Sequence, residues 1–173
     1  MSTRSRIGIV NEDGSVESIY SHWDGYPSHH GPLLLENYKT EEKVRKLISL
    51  GSISHLDENV EPDHRGGKTY RLNKYGTPVM KNGEYVLVDA KGKHTFDRPQ
   101  VGVVVAYHRD RGENWADVAP LESRNKDAFL FMLGHGWEAW GYLYDCKTKK
   151  WLFCRSGAKR MAVLTKTYIK RHQ

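Results

Sequence analysis

The sequence predicts an α+β fold: a mostly antiparallel sheet built from hairpins, with two or three helices packed on one face. Three observations carry that expectation. Turn signals between β-prone runs recur at Asn11-Glu12-Asp13-Gly14, at Asn82-Gly83 and at residues 147–150. Capped, amphipathic helical stretches are few and short. The 173 residues, 38% hydrophobic and with five tryptophans, are enough for one core and too few for two, so 1–173 is expected to be a single domain.

Each element follows in order. Residues 6–10 read as a short apolar strand, and 15–23 return beside it across a turn in which Gly14 supplies a positive φ. A shaped loop over 22–27 comes next. Gly31-Pro32 then opens a helix whose Leu33, Leu34 and Leu35 make it apolar up to Tyr38. Thr40 caps a second helix with Glu41 and Glu42 in its first turn; Val44, Leu47 and Ile48 form its apolar stripe and Gly51 ends it. The hairpin and these helices make up 1–51. Residues 52–68 are polar and read as a long mobile loop.

The remainder, 69–173, reads as sheet-rich with a basic end. Strand signals resume at 69–72, and 78–81 and 84–89 flank Asn82-Gly83. The run 101–107, with Val103, Val104 and Val105, is expected to be a central buried strand. Ser123 is placed to cap a helix over 124–133, with Phe129, Leu130, Met132 and Leu133 facing the core. A last hairpin pairs 137–145 with 150–155, and 162–169 is β-rich in composition. A turn at 147–150 sets Cys146 opposite Trp151, which leaves Cys154 out of disulfide reach; two reduced thiols are expected.

Composition narrows the classes of function. Mean hydropathy is −0.70. No apolar run is long enough to cross a bilayer and no apolar stretch follows the basic N-terminus, so a cytosolic, unexported chain without a membrane partner is expected. Charge is uneven: residues 1–62 hold 6 Lys/Arg against 10 Asp/Glu, whereas 144–173 hold 9 against 1. The basic patch of Lys147, Lys149, Lys150, Arg155, Lys159 and Arg160, interleaved with Trp151 and Phe153, suits an anionic partner such as nucleic acid, or simply a solvated face.

The densest chemistry lies in His22-Trp23-Asp24-Gly25-Tyr26-Pro27. Trp23 and Tyr26, with His22, Asp24 and the neighbouring Arg4 and Arg6, read as a binding surface on which rings stack a base and guanidinium groups hold phosphate. His22, Asp24, His29 and His30 are also candidate metal ligands, which His55, His64 or His135 would have to complete. No motif of established ligand spacing supports this, so no cofactor is assigned. Packing of Trp23 and Tyr26 on the sheet, with Asp24 capping the turn, explains the same residues without a ligand. No nucleophile elbow, P-loop or dinucleotide fingerprint occurs. Gly134-His135-Gly136-Trp137-Glu138 offers an acid–base pair, or a histidine capping a helix end.

The segments Thr3-Arg4-Ser5-Arg6-Ile7-Gly8-Ile9 and Ile19-Tyr20-Ser21-His22-Trp23-Asp24-Gly25-Tyr26-Pro27, with Gly31 and its Leu-rich helix, resemble a family of small, uncharacterised accessory proteins encoded by tailed bacteriophages. The resemblance covers roughly residues 3–52. It implies expression in the host cytoplasm during infection and supplies no catalytic residues. The expectation is a non-enzymatic binding protein that engages a host component as an anti-defence or host-takeover factor. A nucleic-acid or nucleotide binder and a small metal-dependent hydrolase remain as alternatives, with partner identity and oligomeric state open.

Overall fold

Alternating β-branched residues near the N-terminus make a hairpin of β1 (Ser5–Val10) and β2 (Val16–Ser21), with Ile7 opposite Ile19 in the computed structural model, which describes residues 2–171. The chain continues through α1 (Pro27–Asn37), α2 (Glu41–Ser49), β3 (Ile53–His55), β4 (Lys68–Tyr70), β5 (Met80–Lys81), β6 (Glu84–Tyr85), β7 (Leu87–Asp89) and β8 (Val105–Ala106). It ends with α3 (Tyr107–Arg111), α4 (Trp115–Val118), β9 (Leu121–Ser123), α5 (Lys126–Gly134), β10 (Trp140–Asp145), β11 (Lys150–Arg155), β12 (Ala162–Val163) and α6 (Lys166–Arg171). The fold is α+β. One sheet runs in the order β12-β11-β10-β1-β2-β3-β8, with β9 also pairing with β2. It is mostly antiparallel; β10 runs parallel to β1, and β3 parallel to β2. Two small two-stranded sheets, β4-β7 and β5-β6, stand apart from it.

Strand alternation divides the core. Ile7, Ile9, Ile19, Tyr142, Tyr144, Trp151 and Phe153 share one buried cluster with Leu34 of α1, Val44 and Leu47 of α2 and Ile169 of α6. Each such fully buried aliphatic side chain is worth about 1.5–3 kcal/mol relative to exposure. Three helices therefore cover one face, but the third is α6, from a stretch expected to be β-rich, whereas the helix expected over 124–133 packs on the opposite face. The opposite face carries a second cluster, in which Val10, Val16, Leu143 and Cys154 pack on Phe129 and Leu133 of α5. That helix covers only part of its face. The part around Arg4 and Tyr20 is left uncovered, and a cleft forms there.

Several elements depart from expectation. Helix α1 begins at Pro27, not at Gly31: Pro27 occupies the first turn, where its missing N–H costs nothing, and Pro32 sits inside the helix. His29 and His30 are thus helical. Gly31 serves close approach, since a Cβ there would meet Ile169 Cδ1 of α6 at 2.6 Å. The 52–68 stretch is no free loop: β3 joins the main sheet, and Leu56 and Val60 are buried in the core. Nor is 101–107 a central strand. Only β8 pairs, at the sheet's edge, while Val103 and Val104 are buried through a bridge and a hydrogen bond to Asn59. Asn125, not Ser123, caps α5 by accepting from Ala128 N at 2.8 Å. The 162–169 stretch contributes two strand residues, after which Thr165 Oγ1 accepts from Tyr168 N and α6 follows.

The last hairpin is offset from its expected register. Asp145 pairs with Lys150, so Cys146 lies in the turn, and Cys154 faces Gly141. Both cysteines are free and buried, and burial is the main cause that pushes both thiols up to about 11. A thiol so placed holds almost no thiolate at neutral pH. Native protein is expected to release essentially no colour with an aromatic disulfide reagent over minutes, and both thiols to react once the chain is denatured; rapid titration of native protein would contradict this packing.

Candidate functional site

A cleft of about 810 Å³ opens on the uncovered part of the sheet, within the range of small-molecule sites. Its floor is Arg4 and Arg6 at the start of β1 and Tyr20 on β2; Tyr107 and Ser52 form one wall, Trp137 and Glu138 the other. Leu121, Glu113 and Asp117 stand among its remaining lining. The local sequence explains the floor. In Arg4-Ser5-Arg6-Ile7 the period of two sends the arginines to the face opposite Ile7, and pairing of Arg6 with Tyr20 sets the phenol beside them.

The two arginines do different work. Arg6 is fully engaged: Nη1 meets Glu138 Oε1 at 3.0 Å, Nε donates to Ser18 Oγ at 3.1 Å and Nη2 to Ser18 O at 3.0 Å. Its burial lowers its pKa, against the opposing pull of Glu138. It holds the strands and the 138–139 turn together. Arg4 is different. Its Nε is buried with no hydrogen-bond partner among the described residues. An unmade bond of this kind costs about 1–3 kcal/mol, and native proteins hold few of them. Burial raises the pKa of both Tyr20 and Tyr107, while the charge of Arg4 opposes the rise in each. Both phenols are therefore neutral at physiological pH. Trp137 is 85% exposed, an indole face with nothing packed over most of it.

The aromatic loop divides between this cleft and the core. Backbone bonds lock it: His22 N donates to Ile53 O, Trp23 N to Ser54 O at 3.0 Å, and Gly25 N to Thr3 O at 2.7 Å. Gly25 is required because a Cβ there would meet Ser5 at 2.6 Å. His22 reaches the cleft's edge, with Nδ1 at 2.7 Å from the Tyr20 hydroxyl, and Trp23 meets it edge-on at 4.7 Å. Burial and then Arg4 lower the pKa of His22. Tyr26 leads the other way, toward His29 at 5.9 Å. Trp23 and Tyr26 are both partly exposed, but neither lines the cleft, so the expected grouping of both rings with both arginines is not what the fold assembles. Asp24 is exposed with φ 56° and caps no backbone amide among the described residues.

The metal candidates are dispersed by α1. His30 is fully buried, its Nε2 at 3.2 Å from Ser21 Oγ and its Nδ1 at 3.1 Å from His29 Nδ1. His22 is committed to Tyr20. Among the described residues no group of three or more His, Cys, Asp or Glu side chains is placed to hold a metal ion. His135 is engaged with Phe131 O at 2.8 Å and stacks on that ring, the helix-end role, while Glu138 is taken by Arg6; the two do not form an acid–base pair.

The basic patch is likewise divided. Lys147, Lys149 and Lys150 sit at one end of the β10–β11 hairpin, and Arg155, Lys159 and Arg160 at the other, about 17 Å along a six-residue strand. Trp151 and Phe153 point into the core, with Trp151 Nε1 donating to Tyr38 O, so no surface ring separates those cations. One catalytic-looking cluster is structural. Gln100 N donates to His94 Nδ1, which leaves the Nε2 proton for Val104 O and Asp110 Oδ2. Burial alone would raise the Asp110 carboxyl, but bonds from His94, Arg109 and Ala106 N hold it at about 2. With both His94 and Asp110 side chains 2% exposed, no substrate reaches them.

Tyr20, Tyr107, Leu121 and Glu113 are cleft residues that sequence reasoning did not single out. The available signal was two arginines on the polar phase of a strand whose other phase is isoleucine. No protein-family model, curated protein or solved structure matches the chain. No helix among the described residues is long and apolar enough to cross a membrane.

Proposed function

We propose that this is a non-enzymatic binding protein whose cleft takes a nucleotide or a nucleotide-derived signal. The observation that carries the reading is the buried, unpartnered Arg4 Nε in a cleft that also presents neutral phenols and an open indole. A phosphate oxygen completes the Arg4 donor set, Trp137 offers a stacking face for the base, and Glu113 or Asp117 suits ribose hydroxyls. Few other metabolites combine a flat ring, hydroxyls and an anion. In the phage context that the N-terminal resemblance implies, such a ligand would be a host signal, and capturing it an anti-defence or takeover act in the host cytoplasm.

Calorimetric titration with mononucleotides, cyclic mono- and dinucleotides and inorganic phosphate tests this. At least one nucleotide is expected to bind, and Arg4→Met to weaken it tenfold or more, about 1.4 kcal/mol, with a melting temperature of the free protein no lower than that of wild type. Absence of binding across the panel, or equal binding by the variant, would overturn the reading.

A further inference from the structure

We infer that the arm formed by residues 64–98 is a binding surface for single-stranded nucleic acid, separate from the cleft. The arm is tied to the body at its root, residues 64–70 and 90–98: Thr69 Oγ1 donates to Pro99 O, Val101 N to Lys68 O, the Gln100 side chain bonds Asp63, His94 Nε2 meets Val104 O and Asp110 Oδ2, and Phe96 N donates to Asp110 O. Beyond the root its hydrogen bonds are its own, with Arg71 N donating to Val86 O and Val79 N to Arg71 O. No residue from 71 to 89 is buried. A ribbon this exposed contributes nothing to a core, so its rings are not explained by packing.

Two of those rings meet. Strand register sets Tyr70 opposite Leu87 and Met80 opposite Tyr85, and Tyr70 meets Tyr85 edge-on at 5.0 Å. Tyr85 is 52% exposed, and Tyr75, in the tight turn at the arm's tip, is 79% exposed. Charge surrounds them. Between 64 and 98 the chain carries 8 Lys/Arg against 3 Asp/Glu, a balance of +5 in a central stretch, 63–143, whose whole balance is only +2. All eight cations are exposed, and none pairs with a carboxylate among the described residues. Lys74 lies over the Tyr75 ring at 4.9 Å, so cation and stacking face are presented together. Exposed rings flanked by unneutralised cations on an extended ribbon match a strand whose bases are free to stack. A duplex hides its base faces, and an acidic protein surface would leave the rings without a role.

The full chain tests this by fluorescence anisotropy with a labelled oligothymidylate of about 20 nucleotides. Binding is expected at low salt. With about four phosphate contacts, affinity should fall about 50-fold between about 50 and about 200 mM salt. Tyr75→Ala should weaken it by about five- to a hundredfold. Arg71→Ala, Lys74→Ala and Lys81→Ala combined should reduce the logarithmic salt slope by about 2. All four sites are exposed, so circular dichroism should show unchanged folding. Arg4→Met and the combined Lys147→Ala, Lys149→Ala, Lys150→Ala variant should bind as wild type, which separates this site from the cleft and from the basic end. No binding at low salt, tighter binding of a duplex of equal length, equal binding of polyglutamate, or indifference to the arm substitutions would overturn the inference.

Discussion

Replacing Glu138 with alanine is expected to cost about 3–5 kcal/mol of folding stability. The Arg6 and Glu138 side chains are only 8% and 10% exposed and meet at 3.0 Å. The remaining Arg6 donors go to Ser18. Removing the carboxylate leaves a guanidinium in an environment that already lowers its pKa by burial, yet the group stays charged at any working pH. It cannot be neutralised, and water can reach it only from the cleft that it lines. A paired change of Arg6→Met with Glu138→Leu should restore most of the loss, because it removes both desolvated charges at once. Urea denaturation measures this as a shift of midpoint at constant slope. A cost below about 1 kcal/mol for Glu138→Ala would mean that the pair is solvated and that the cleft wall is looser than described.

Acid should destabilise the protein earlier than carboxylate titration explains, and His30 is the reason. Its imidazole is fully buried, and burial, then the neighbouring His29, lowers its pKa from 6.5 to about 3. In the unfolded chain it takes a proton near pH 6.5, whereas the native site refuses one until about 3. Across that interval the unfolded state binds more protons. The stability is therefore complete above the unfolded value and is lost as pH falls, at about 1.4 kcal/mol per pH unit. Wild type is expected to lose about 2–3 kcal/mol between pH of about 6.5 and about 4.5. His30→Gln should lose well under that, keeping the part of the slope due to His22 and His55, whose pKa values burial also lowers. Asp110 acts only below this window, since its contribution goes as pH falls from 3.8 toward about 2. Equal slopes for wild type and variant in chemical denaturation would show that His30 is hydrated.

The parts of the fold that could be read in advance are those where local chemistry and burial agree. The β1–β2 hairpin, the Thr40 cap with its acidic first turn, and the Asn82-Gly83 turn, with φ of 53° and 78°, each follow from residues within a few positions of one another. What could not be read is what long-range contact decides. Ile53, Leu56 and Val60 are thinly spaced among polar residues, and only their docking beside β2 makes them core. Val103–Val105 have the composition of a central strand but meet an edge. The parallel pairing of β1 with β10 joins residues about 135 apart in sequence, and no local pattern reports it. The candidate site shows the same division. Arg4, Arg6 and His22 were visible as an unusual cluster, but their companions Tyr107, Leu121 and Trp137 arrive from three distant segments. The pairing of Trp23 with Tyr26 was a proximity in sequence that the turn at Asp24 separates in space.

The most direct measurement is the side-chain Nε–Hε resonance of Arg4, assigned by its disappearance in Arg4→Lys and followed by NMR during titration with the tightest nucleotide of the panel. If a phosphate completes this buried donor, the resonance shifts downfield with the binding isotherm, the Trp137 indole signal moves with it, and the Tyr26 and Tyr75 neighbourhoods stay still. A bound nucleotide that leaves the Arg4 resonance in place while perturbing other surfaces would contradict the assignment of the cleft.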